Sequence, residues 1–104
     1  REGLNVTLSG GDPVYQAEAL LPFVAALCER GIGIWCYTGF TYEEIMEGRA
    51  GESALRLLEY VDVLVDGPYV EALRDPSLHF RGSANQRLVD LRRSVPGELV
   101  FYDK

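Results

Sequence analysis

Two spacings of apolar residues alternate along this chain. Leu4, Val6 and Leu8 recur at every second position and predict a strand over residues 4–9. Gly10-Gly11-Asp12-Pro13 ends it, because glycine reaches backbone angles closed to other residues and proline has no N–H to give to a sheet. Ala17, Leu20, Leu21, Val24, Leu27 and Cys28 then recur at helical spacing and lay one apolar stripe along a helix. Proline fits only a first turn, so Pro22 predicts that this helix starts no earlier than about residue 18. Gly31, following Arg30, suits its C-terminal cap. Residues 32–37 are almost continuously apolar, as in a strand covered on both faces. Thr41-Tyr42-Glu43-Glu44 has capping-box spacing and opens a short helix, which Gly48 and Gly51 interrupt. It resumes over residues 52–60, with Leu55 and Leu58 facing inward. Residues 61–65 form a third strand closed by Asp66-Gly67-Pro68. Beyond it the pattern predicts a helical turn or two over 69–73, a loop over 74–83, a helix over 84–93 with Leu88 and Leu91 on one side, and a last strand over 98–102.

Strand, helix, strand, helix, strand at this spacing requires parallel strands joined by right-handed crossovers, which makes the fold α/β. In such folds ligands gather where the strands' C-terminal ends meet loops and helix N-termini. Three polar, glycine-containing segments fall at those ends: Ser9-Gly10-Gly11-Asp12-Pro13, Thr38-Gly39-Phe40 and Asp66-Gly67-Pro68. Their convergence on one rim is the main functional signal.

With 104 residues, 47% of them hydrophobic, the chain has material for one domain, residues 1–104, with a single core. A net charge of −6 argues against nucleic acid or an anionic membrane as partner, since both require clustered Lys and Arg. The chain carries no apolar run long enough for a transmembrane helix and no basic-then-apolar leader. Only two cysteines are present, Cys28 and Cys36, so a disulfide scaffold is excluded and a reducing, cytoplasmic setting is expected.

Each candidate has a plain structural reading beside a chemical one. The Gly10-Gly11 turn can bring backbone amides close to a carboxylate or phosphate, or it is a tight turn whose Asp12 caps the next helix. It is neither a Walker loop nor a dinucleotide fingerprint, because the required Lys and the glycine spacing are missing. Asp66 at a strand end suits a hydroxyl, an amine or a cation, and equally suits a turn ahead of Gly-Pro. Cys28 and Cys36 lack metal-pair spacing and read as small buried apolar residues. His79 is the only histidine and has no visible catalytic partner. The six tyrosines do not share a face, and Glu43, Glu44 and Glu47 read as a solvated helix side.

Five strings occur in one order: Leu8-Ser9-Gly10-Gly11-Asp12-Pro13, Ile34-Trp35-Cys36-Tyr37-Thr38-Gly39-Phe40, Val63-Leu64-Val65-Asp66-Gly67-Pro68-Tyr69, Asp75-Pro76-Ser77-Leu78, and Phe80-Arg81-Gly82-Ser83-Ala84-Asn85-Gln86-Arg87. Together they resemble the radical S-adenosylmethionine (SAM) activases of anaerobic ribonucleoside-triphosphate reductase, with the pyruvate formate-lyase activases a more distant likeness. The match runs over about residues 3–92. The glycine loop alone is a weak signal; five strings in register are a specific one.

The resemblance implies a partial parallel β/α barrel that binds SAM. Gly10, Gly11, Asp12 and Pro13 would hold the methionine amino end, and Ser9, Thr38, Gly39 and Asp66 would lie on the SAM side. It leaves the role of residues 82–86 open. It also implies a [4Fe–4S] cluster, reduction of SAM there, and transfer of radical character to a glycine of the large reductase subunit. A donor such as flavodoxin would supply the electron. The family's C-x-x-x-C-x-x-C motif precedes the glycine loop, however, and this sequence has no such motif. The expectation is therefore a C-terminal portion of the barrel, without the first strand and cluster loop, inactive alone and prone to self-association through an exposed strand edge. A non-catalytic half-barrel binding module and an activase for another glycyl-radical enzyme are the alternatives.

Overall fold

The computed structural model describes residues 5–9, 12–77, 83, 85–94 and 98–101. Strand β1 (Asn5–Leu8) is followed by a 3-10 turn at Pro13–Gln16 that runs directly into helix α1 (Ala17–Glu29). Next come β2 (Gly33–Tyr37), α2 (Tyr42–Met46), α3 (Glu52–Leu58) and β3 (Val63–Asp66). A 3-10 turn at Glu71–Leu73 and strand β4 (Arg87–Asp90) complete the order. The strands form one four-stranded sheet in the order β1-β2-β3-β4. β1, β2 and β3 are parallel, with Val6 beside Ile34 and Cys36 beside Leu64.

Local chemistry fixes the element boundaries. At the end of α1, the Gly31 amide donates to Cys28 O at 3.0 Å and the Ile32 amide to Leu27 O at 3.1 Å. With Gly31 at φ 74°, this is the paired closure that glycine permits after a helix. At α2 the capping box forms as the spacing predicts: Thr41 Oγ1 accepts from the Glu44 amide at 3.1 Å, and Glu44 Oε1 from the Thr41 amide at 2.9 Å. α1 starts at Ala17, one residue earlier than expected, which places Pro22 beyond its first turn. Pro22 faces solvent there, so the carbonyl left without a helical donor stays within reach of water.

The strand side chains alternate between two apolar clusters. Leu8, Ile34, Cys36, Leu64 and Val89 face the helices and pack with Val24, Ile45, Ala54 and Leu57. On the opposite face Val63, Val65 and Leu88 cluster with the half-buried Trp35 and Tyr37. The molecule is therefore a sheet with its helices on one side, and the core lies between them.

Three expectations need correction. Residues 84–93 do not supply a helix; Arg87–Asp90 is β4, antiparallel to β3, with Leu64 opposite Val89 and Val65 opposite Leu88. The three-residue interval from Leu88 to Leu91 imitates a helical stripe. In fact Leu88 and Val89 point to opposite faces of the sheet, and both are buried. The all-parallel expectation fails for the same segment. The last strand expected over 98–102 is, among the described residues, a bridge between Val89 and Phe101, with the Asp90 amide donating to Val100 O at 2.8 Å.

Candidate functional site

The three segments at the C-terminal ends of the parallel strands are tied into one rim. Asp12 makes the first tie: its Oδ1 accepts from the Val14 amide at 3.2 Å and caps the 3-10 turn. Its Oδ2 accepts from the Gly39 amide at 2.8 Å, joining the loop after β1 to the loop after β2. A Cβ on Gly39 would stand 3.4 Å from that Oδ2, so the close approach favours glycine. The loop after β2 is joined in turn to β3, because the Thr38 amide donates to Val65 O at 3.0 Å and the Gly67 amide to Phe40 O at 2.9 Å. Thr38 is buried, and its Oγ1 accepts from the Phe40 amide at 3.1 Å.

These ties surround a cavity of about 220 Å³ lined by Asp12, Pro13, Tyr37, Thr38, Gly39, Gly67, Tyr69 and Gln86. The structure thus brings together four of the residues singled out from sequence: Asp12, Pro13, Thr38 and Gly39. Ser9 is exposed and lies outside the lining. Gly10 and Gly11 fall outside the described residues, as do His79 and Arg81. Gly67, from the Asp66-Gly67-Pro68 segment, also lines it; Tyr37, Tyr69 and Gln86 join the lining without having been singled out, the first two adjoining the strand-end segments and Gln86 belonging to the last of the five strings.

Asp66 is not part of the cavity lining, although its neighbour Gly67 is. It is fully buried, its Oδ2 accepts from the Tyr42 amide at 2.6 Å, and Arg87 grips both carboxylate oxygens. Arg87 also reaches Glu43 Oε1 at 2.7 Å. The hydrogen bond to Asp66, reinforced by Glu43, holds the guanidinium above the ordinary arginine range, and the bond from Arg87 holds Glu43 below the ordinary glutamate range. Asp66 therefore anchors α2 and β4 to β3 through both of its oxygens.

A larger cavity of about 490 Å³ lies at the other end of the sheet, lined by Asn5, Trp35, Asp62, Val63, Asp90, Arg92 and Arg93. Its arginines pair with Asp62 and Asp90, so it offers little net charge to a ligand. The rim cavity is the candidate site, because a carboxylate-bearing, a hydroxyl-bearing and two aromatic residues line it where the three strand-end loops are tied together.

The residues present do not fit an iron–sulfur cluster. Cys36 is buried in β2, where burial, with a contribution from Asp12, pushes its thiol up to about 12. Cys28 stands apart on α1. No group of three or more His, Cys, Asp or Glu among the described residues could hold a metal. No helix among them is long and apolar enough to cross a membrane.

Comparison with known proteins bears on this arrangement. Residues 1–89 match the family described as "4Fe-4S single cluster domain". The "Anaerobic ribonucleoside-triphosphate reductase-activating protein" of Haemophilus influenzae is 42% identical over 90 residues, covering 83% of this chain and 54% of that protein. Its namesake in Escherichia coli (strain K12) is 36% identical over 93 residues, covering 84% and 56%. That of Enterobacteria phage T4 is 39% identical over 88 residues, covering 80% and 51%. The chain spans about half the length of the curated relatives it matches. No solved structure matches it. The segments that build the rim lie within the matched region, and the chain belongs to the 4Fe-4S single cluster domain family, among relatives named as anaerobic ribonucleoside-triphosphate reductase-activating proteins.

Proposed function

We propose that this chain is the SAM-binding part of a radical SAM activase for anaerobic ribonucleotide reductase, folded as the C-terminal portion of a partial β/α barrel. The observation that carries the reading is the bond from the Gly39 amide to Asp12 Oδ2 beside the rim cavity. It brings the glycine loop and the segment after β2, two of the matched strings, to one place.

In this reading the Ser9-Gly10-Gly11-Asp12-Pro13 loop receives the methionine end of SAM. Asp12 keeps lone pairs beyond its two backbone bonds and accepts from the ligand's ammonium. Thr38 offers its hydroxyl proton, since its oxygen already accepts from Phe40. Gly39 lets the backbone come close. Asp66 contributes from outside the lining, by anchoring α2 and β4 to β3. The ligand is a cosubstrate that the protein orients and shields from water.

The cluster belongs to residues other than those of this chain, so the whole activity requires a polypeptide that joins a C-x-x-x-C-x-x-C segment to this sequence. Its substrate is a glycine on the large reductase subunit and its electron donor is of the flavodoxin kind, in a cytoplasmic, reducing setting. The two isolated cysteines favour a second reading, a half-barrel binding module without catalysis.

The test joins gene sequence to assay. The coding sequence upstream of Arg1 is read for the three-cysteine motif, and the full product, loaded anaerobically, is mixed with the reductase, SAM and a reductant. A glycyl-radical signal in electron paramagnetic resonance supports the activase. A cluster-loaded product that leaves the reductase radical-free contradicts it, and absence of the motif leaves the binding module.

A further inference from the structure

One face of α1 carries apolar residues that the core does not use. Tyr15, Ala19, Pro22, Phe23, Ala26 and Arg30 recur at helical spacing, so they share one side of the helix and of the turn that leads into it. Ala17, Leu20, Leu21 and Val24 occupy the opposite side and pack into the core. Every residue of the outer stripe is exposed, Tyr15 at 75% and Phe23 at 49%. The Tyr15 ring stands edge-on to Phe40, with centroids 5.4 Å apart.

The two ends of the stripe complement each other. At its start a cavity of about 500 Å³ is lined by Tyr15, Gln16, Glu18 and Ala19. Glu18 brings a carboxylate there, and Pro22 has no N–H to give to the Glu18 carbonyl, which stays available as a second acceptor. A carboxylate, a carbonyl and an aromatic ring together suit a guanidinium. Arg30 caps the other end of α1, about 18 Å along the helix from Glu18, too far to reach that cavity in its own chain. The spacing is also symmetric. Ala19 and Ala26 lie equally far from the midpoint between Pro22 and Phe23, and so do Tyr15 and Arg30. A stripe with that symmetry matches its own copy turned end for end, which is what a two-fold contact requires.

We propose that the outer face of α1 is a docking surface for a second copy of this chain, whose own α1 packs on it antiparallel about a two-fold axis between Pro22 and Phe23. Phe23 then meets Phe23 of the second copy, and Ala19 meets its Ala26, small residues that let the two helices approach closely. Arg30 of each copy enters the cavity of the other, over the Tyr15 ring and beside Glu18. No residue lining the rim cavity takes part, so the surface stands independently of what that cavity binds.

Sedimentation equilibrium of the full chain tests the surface, in a Thr7→Lys background so that pairing of β1 edges does not contribute. A contact between single helices falls at the small, transient end of interface sizes, so a dimer that dissociates at roughly tens of micromolar is expected. Phe23→Glu sets two carboxylates against each other across the axis and weakens the dimer at least about 10-fold. Ala19→Lys alone also weakens it. Ala19→Lys combined with Ala26→Glu restores it, because the antiparallel register sets each lysine against a glutamate of the other copy. Thermal melts of these variants stay near the wild-type midpoint, since the side chains changed are exposed. A background chain that stays monomeric to the order of hundreds of micromolar overturns the proposal and leaves the stripe to a different protein. A dimer indifferent to Phe23→Glu overturns it by placing the contact elsewhere. Failure of the Lys–Glu pair to recover what Ala19→Lys loses overturns the antiparallel register, and the proposal with it.

Discussion

Arg87 on β4 and Asp66 on β3 are register partners, and the guanidinium of one closes over the carboxylate of the other. Nε donates to Oδ1 at 3.0 Å while Nη2 reaches both Asp66 and Glu43. One cation thereby joins the two antiparallel strands to the start of α2, where the Tyr42 amide occupies the same Asp66 oxygen that Nη2 reaches. Removing the cation leaves a buried carboxylate with only a backbone amide for company. Arg87→Ala is expected to destabilise the fold by about 3–5 kcal/mol in urea denaturation, the usual cost of orphaning a buried charge. Arg87→Lys recovers only part of it, since an ammonium cannot reproduce the guanidinium fork. A loss under about 1 kcal/mol in Arg87→Ala would mean that water replaces the guanidinium, as at an exposed pair.

The outer arm of this cluster gives stability a pH dependence. Glu43 titrates below its ordinary value when folded, so its pairing with Arg87 contributes above the unfolded value of about 4.3 and is lost as pH falls through the lowered folded one. The Glu43 side chain is 55% exposed, and solvent screening holds the contribution to less than about 1 kcal/mol. Glu43→Gln is therefore expected to lower the melting midpoint slightly at neutral pH and to converge with the wild type as pH falls from about 4.3 through the lowered folded value. Parallel melts of the two proteins across that range check both the direction and the window.

The two cysteines should differ sharply in reactivity. The thiolate is the nucleophile, and Cys36 is buried with its thiol held near 12, whereas Cys28 is partly exposed on α1. Iodoacetamide at about pH 8 is expected to modify Cys28 while Cys36 reacts only after denaturation, as mass spectrometry of digests would show. The same separation predicts that iron and sulfide, added anaerobically to this chain, produce no cluster absorption band.

β1 pairs with β2 alone among the described strands, and Asn5 and Thr7 are exposed along it. A strand with one open edge is a template for another strand. The chain is accordingly expected to show a mass above that of the monomer in light scattering at tens of micromolar, an order-of-magnitude working range for edge association. Replacing Thr7 by Lys should shift it back toward monomer, because a charge on the edge strand opposes pairing.

Much of this architecture was legible because its signals are local. The capping box at Thr41 and Glu44, the glycine closure at Gly31, and the polar segments after each parallel strand depend on residues within one turn of each other. β4 was not legible. Leu88 and Val89 face opposite sides of the sheet and both are buried, so no two-residue alternation survives, and Leu88 with Leu91 mimics a helix. Asp66 illustrates a different limit. Its position at a strand end marked it as special, but its partner lies 21 residues away on β4, and only the fold shows both its oxygens engaged. The contacts of Ser83, Asn85 and Gln86 were hidden for the same reason, since each bonds to the loop after β3.

Mapping a ligand onto the backbone amides tests the central claim most directly. S-adenosylhomocysteine would be titrated into isotopically labelled protein while amide resonances are followed by NMR. The account predicts saturable shifts at Tyr37, Thr38, Gly39, Gly67 and Tyr69, with Asp12→Ala weakening the titration. Shifts confined to Asn5, Asp62 and Arg92, at the opposite end of the sheet, or no saturable shifts at all, would contradict it.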